Sequence, residues 1–253
     1  MATSKETVVA ESLESLQGLL QEAFGDNLIS ILHYGASVDQ DLSSVASADA
    51  ELKVLIVVEV LANTDWGKIS RAFDRLRGRA SVIPVLLTEN SLKSSTDVFP
   101  ILIRELKSGS QLVYGKDVVA DLDYQPAHLR LRCEQELRAL QLRMQGICLM
   151  HFASPHRLRS ALVRDYKTFE PLLQIAMSLS GTETLSGAET LSGRQLLEAA
   201  AAKLEIEAEP LVEALEFADG NGEFDEESFG YQYIDLMTSV RMTADLVDQL
   251  TIA

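Results

Sequence analysis

The sequence predicts an α/β (α+β) chain in which a short mixed sheet is followed by an all-helical bundle domain. Three observations carry this. Up to about Gly115, apolar runs rich in β-branched residues alternate with segments of helical period. From Pro126 onward the chain changes to long helices rich in Leu and Arg. Between the first two apolar runs stands a glycine turn, Tyr34-Gly35-Ala36, and two acids, Asp49 and Glu51, open the second run. The expected division is 1–116 for the sheet domain and 117–253 for the helical domain, with a flexible linker near 180–193.

Val9, Leu13, Leu16, Leu19, Leu20 and Phe24 recur at helical spacing, and Gly25 with Asn27 ends that helix. Ile29, Ile31 and Leu32 then lead into the glycine turn as a strand. Ser37 to Ala48 carries small and polar residues without apolar period, which reads as a loop or a short helix. Leu52 to Leu61 is aliphatic apart from Lys53 and Glu59, as a strand buried on both faces would be, and it is expected to be central. Trp66, Ile69, Phe73 and Leu76 form the next helical stripe, with Asp65 as its N-cap and Gly78 closing it. Val82 to Leu87 is a third strand. Its Pro84 cannot donate to a ladder, which predicts an edge position or a bulge.

Val98, Ile101, Leu102 and Leu106 fit a helix or an irregular amphipathic segment, and QLVYGKD reads as a short strand and turn. The second half holds helices from about His128 to Phe152, Pro155 to Leu179, Gly193 to Leu204, and Phe229 to Leu250. Leu-Ser-Gly recurs at 179, 185 and 191. That brief period, rich in Gly, Ser and Thr, points to an exposed linker, and Ser192 with Gln195 forms a capping box for the helix after it.

Composition narrows the function classes. With 22 Lys and Arg against 38 Asp and Glu, the net charge of −16 repels polyphosphate backbones, so no extended nucleic-acid surface is expected. The apolar stretch LKVLIVVEVLA is too short to span a bilayer, and the N-terminus lacks the pattern of a secretory signal, so no membrane partner is expected. Cys133 and Cys148 have no CxxC spacing, and a cytoplasmic, thiol-reduced setting follows.

The glycine turn and the acid pair carry the chemistry. On a strand, residues two apart share a face, so Asp49 and Glu51 are expected side by side, with Lys53 on the same face and able to pair with one of them. Carboxylates in that arrangement suit Mg2+, which keeps much of its water and takes one or two protein carboxylates. A bare backbone at Gly35 lets a phosphate approach, and the amides of Ala36 and Ser37 could donate to it.

This pattern resembles the nucleotidyltransferase superfamily named for DNA polymerase β. The carriers of the likeness are HYGAS, the twelve residues from Ser37 to Ala48, and DAEL. LRLRCEQELRALQLR after YGKDVVADLDYQPAH looks like the helical half of bacterial predicted nucleotidyltransferases. The resemblance implies a nucleotidyltransferase fold, with Asp49 and Glu51 as catalytic residues and magnesium ligands, and Gly35, Ala36 and Ser37 at the nucleotide. Two departures qualify it. Ala36 stands where the family has serine or glycine, and SVIPVLL holds no third carboxylate, with Glu89 just beyond its end.

The expected function is therefore that of a nucleotidyltransferase-fold pseudoenzyme, catalytically degenerate, that binds a nucleotide or a protein partner. The alternative is an active Mg2+-dependent enzyme moving a nucleoside monophosphate from a nucleoside triphosphate to a hydroxyl of a small molecule or protein, with Glu89 or an acid of the helical half as third carboxylate. A purely structural role is a third class. The sequence leaves a homo-oligomer open. Elsewhere the reading is plain: His33 is a packed histidine, and His128, His151 and His156 lack zinc spacing. The 219–227 turn has Phe224 where a calcium loop needs glycine, and Arg130, Arg132, Arg138 and Arg143 are salt-bridged surface positions.

Overall fold

The computed structural model describes residues 5–35, 51–62, 64–76, 80–181, 184–185, 189–190, 193–222 and 224–251. Two compact units divide the chain, Met1–Tyr124 and Gln125–Ala253.

The first unit is built on a four-stranded mixed sheet in the order β3-β2-β1-β4. Its strands are β1 (Leu28–Tyr34), β2 (Glu51–Val58), β3 (Ser81–Thr88) and β4 (Ser110–Gly115). β1 pairs antiparallel with β2 and β4, whereas β2 pairs parallel with β3. The strand expected to be central is so, and the strand with Pro84 is an edge, where a missing N–H costs no ladder bond.

Alternation along β2 divides the core in two. Leu52, Val54, Ile56 and Val58 meet Val9, Leu13, Leu16 and Leu20 of α1 (Lys5–Phe24), and Phe73 of α2 (Trp66–Asp74) packs on the same side. Leu55 and Val57 face the other way, toward Leu92 of α3 (Glu89–Ser94) and toward Ile103 and Leu106 of α4 (Pro100–Ser108). Asp65 caps α2 as expected, accepting from the Lys68 amide at 2.9 Å. Val118, Val119 and Leu122 also enter this second core, so the unit runs to Tyr124, past the boundary at 116 expected from composition.

The second unit holds α5 (Pro126–His151), α6 (Pro155–Leu179), α7 (Gly193–Leu204), α8 (Glu209–Ala218) and α9 (Phe229–Gln249). α5, α6 and α9 pack mutually, and α8 closes on α6 and α9. Within the expected linker, Thr184–Leu185 and Glu189–Thr190 pair antiparallel as β5 and β6. Ser192 lies outside the described residues. Among the described residues no helix is long and apolar enough to cross a membrane.

The arginines of α5 are ion-paired, as expected. Arg130 reaches Glu134 at 3.3 Å, Arg132 reaches Glu136, and Arg138 reaches Asp245 at 2.9 Å. Arg143, itself exposed, bonds Asp165, a fully buried carboxylate, at 3.0 Å, and Tyr233 Oη donates to the same carboxylate at 2.5 Å. The 219–227 turn behaves as a turn: Asp225 accepts from the amides of Glu227 and Ser228, and the Phe224 ring stacks on His156 and packs on Phe229.

Candidate functional site

The glycine turn follows directly from the end of β1. Gly35 has φ +87°, a left-handed value that glycine takes without cost, which is why the chain can leave the sheet here. Asp49, Ala36 and Ser37 lie outside the described residues. Glu51 is placed by its backbone: it opens β2, in register with Ser81 of β3.

Lys53, two residues on, organises what is described around the turn. It is the cross-strand partner of Tyr34, and a Cβ built on Gly35 would lie 3.2 Å from its Cδ, so the lysine stem lies across the turn. The Lys53 ammonium donates to Glu105 Oε1 of α4 at 3.0 Å. The two side chains are 34 % and 23 % exposed, so the pair is sheltered yet reachable from solvent. Its partner is thus on α4, a residue that no local sequence signal singled out. Tyr34 is buried beneath it, and burial first, then the Glu105 charge, push its hydroxyl up to about 12. His33 turns to the other face, where it is buried and its pKa is lowered by desolvation.

The structure moves Glu89 away from the acids it was expected to complete. β2 and β3 run parallel, so Glu51 stands beside Ser81 while Thr88 stands beside Val58. Seven residues of strand at roughly 3.3 Å each put Glu89 about 20 Å or more from the start of β2. There it opens α3 and bonds Lys93 at 2.7 Å and Lys116 at 2.8 Å, which hold its carboxyl below the usual range. Glu89 is a structural acid, and it cannot serve as the third carboxylate.

Asp49 and the Glu51 side chain, the acids of the expected magnesium pair, lie outside the described residues. Beside the start of β2, the neighbouring strand offers Ser81 and the apolar Ile83, the register partner of Lys53. Among the described residues, no group of three His, Cys, Asp or Glu could hold a metal ion. Lys53, bonded to Glu105, lies two residues beyond Glu51 and so on the same face of β2.

No family model matches the chain, and no curated protein matches it. Its fold does match a solved structure, that of spectinomycin adenyltransferase AAD(9) from Enterococcus faecialis with ATP and spectinomycin, at a TM-score of 0.63. The match covers 92 % of this chain and 99 % of that one at 12 % identity, which makes it a likeness of fold. The chain accordingly has a nucleotidyltransferase-like α+β fold, with an N-terminal mixed sheet and a helical C-terminal region.

Proposed function

We propose that this protein binds a nucleoside triphosphate at the turn after β1 and transfers nothing from it, acting as a degenerate relative of the nucleotidyltransferases related to DNA polymerase β. The observation that carries this reading is the parallel pairing of β2 with β3: it sets Ser81 and Ile83 where a third carboxylate would complete the site and takes Glu89 to the far end of the strand. Binding needs less than transfer. Gly35 with its positive φ leaves the backbone open to a phosphate, and Ala36 and Ser37 follow it as further backbone donors. Asp49 and Glu51 would be the ligands of a magnesium ion arriving with the nucleotide, which would neutralise phosphate charge. With Glu105 bonded to Lys53, no described acid is free to take a proton from an acceptor hydroxyl at the turn. A bound nucleotide would in turn serve a protein partner as a signal of state.

One observation favours the active alternative. Glu105 is an acid on the face of Lys53, and released from that lysine it would stand as the missing carboxylate for transfer to a small-molecule or protein hydroxyl. One experiment separates the two. Thermal melting with ATP and the other triphosphates should show stabilisation by at least one, while α-labelled triphosphate should pass no label to small-molecule or protein acceptors. Label transfer that disappears in Asp49→Ala and Glu51→Ala would overturn the proposal in favour of the enzyme.

A further inference from the structure

We infer that this protein forms a two-fold symmetric dimer in which the last turns of α5 from two copies pack antiparallel, crossing at Gln145 and Gly146. The inference does not depend on the nucleotide-binding reading. A surface helix ordinarily carries polar residues opposite its buried stripe, and the end of α5 does not. Leu129, Cys133, Leu137, Leu140 and Met144 fill its buried side. Leu149 lies about two and a half turns beyond Leu140 and so on the opposite side, where it is 89 % exposed. Leu142, about two turns before it, is 69 % exposed, and Met150 beside it is 75 % exposed. Phe152 extends the patch: its ring lies over Gly230 at the start of α9 and meets Tyr231 edge-on at 6.1 Å, and both aromatics are exposed.

Area, charge and shape name the occupant as a second copy of the chain. The five side chains expose on the order of 500 Å2, where soluble monomers rarely leave a contiguous apolar patch above a few hundred. That is more than half of the roughly 800 Å2 that each partner buries in a standard interface, and polar residues around the patch would supply the rim. With a net charge of −16, two copies repel one another wherever acids meet. From Leu137 to Arg164 the sequence holds no acid, its longest such run, and this run includes Leu142, Leu149, Met150 and Phe152. Among the described residues, a Cβ on Gly146 would meet nothing within 4 Å, so no contact within the chain requires glycine in this helix interior, where it is destabilising. A second helix crossing closely at that point does require a small residue. Leu142 and Leu149 stand equally far from the Gln145-Gly146 step, so about a dyad there Leu142 of one copy meets Leu149 of the other, and the contact repeats.

Sedimentation velocity of the full chain across the micromolar range tests this, with circular dichroism as the check on folding. Wild type is expected to pass from monomer to dimer as concentration rises. Leu149→Glu, at a position with little to lose within the chain, should weaken the dimer by about tenfold or more, and Leu142→Lys should do the same. Leu142→Lys and Leu149→Glu in one chain set opposite charges against each other at both contacts and should recover much of the association. Higher salt should tighten the wild-type dimer by screening the repulsion between copies. Leu149→Ser gives the same comparison should the glutamate variant not fold. A wild type that stays monomeric throughout overturns the inference and leaves the patch to a different protein or a membrane. A dimer that survives both single variants, one that salt dissolves, or a double variant no better than the singles overturns it as well.

Discussion

A Cβ at Gly115 would lie 1.9 Å from the carbonyl oxygen of Ile29, and the residue has φ +83°. The clash is with backbone, in the ladder that joins β4 to β1, so no side chain can move aside to relieve it. Gly115→Ala should therefore lower the unfolding free energy by about 2–4 kcal/mol, combining the strain of a left-handed non-glycine residue with a displaced strand. Urea denaturation checks this as a lower midpoint at unchanged slope. Gly35 shares the left-handed φ and its strain, but the nearest atom to its Cβ is the flexible stem of Lys53 rather than backbone, so a substitution there adds no backbone clash. At this scale the sequence was legible where the signal is local. Asp65 as a cap and the glycine ending β1 could be seen in their neighbours. Asp165 could not: besides the adjacent Arg164, its partners Arg143 and Tyr233 are 22 and 68 residues away, and only the packing of three helices brings them to one buried carboxylate.

Elements with a long apolar period were readable, and those without one were not. α6 and α7 fall where their stripes and the prolines or glycines at their ends placed them. α3 was missed because six residues give no period; its start is fixed by Thr88, whose hydroxyl accepts from the Ser91 amide at 3.0 Å. α8 lay unassigned between the linker and the acidic turn, although Pro210 in its first turn is a start signal. Its packing on α6 has a measurable consequence. Burial first, and the charge of Asp219 at the end of α8 second, raise the pKa of Glu170 on α6 above its ordinary 4.5. A carboxyl that holds its proton more tightly when folded stabilises the protein fully below the unfolded value, and loses that contribution as pH rises through the folded one. Glu170→Gln should therefore be more stable than wild type at neutral pH, with the advantage fading as pH falls toward 4.5. Urea midpoints measured across that range would show a constant difference if the carboxyl were not perturbed.

For the whole molecule, 38 acids against 22 bases dominate the long-range field. Self-repulsion of that size works against the compact state and is screened within about 10 Å at 0.1 M salt. Scanning calorimetry at neutral pH should show Tm rising by a few degrees as sodium chloride is raised from low to moderate concentration; an unchanged Tm would mean that the ion pairs lost to screening offset the relief. The sequence by itself determined the order of architecture, a glycine-turn sheet followed by helices, and the spacing from Gly35 to Asp49. Those features are written in periods of two and 3.6 and in turn residues, all of which act over a few neighbours. Tertiary structure alone decided what stands beside the turn. The parallel direction of β3 carries Glu89 away, and the packing of α4 on one face of β2 brings Glu105 to Lys53. Strand direction and the choice of face are set by contacts distant in sequence, and no local period encodes them.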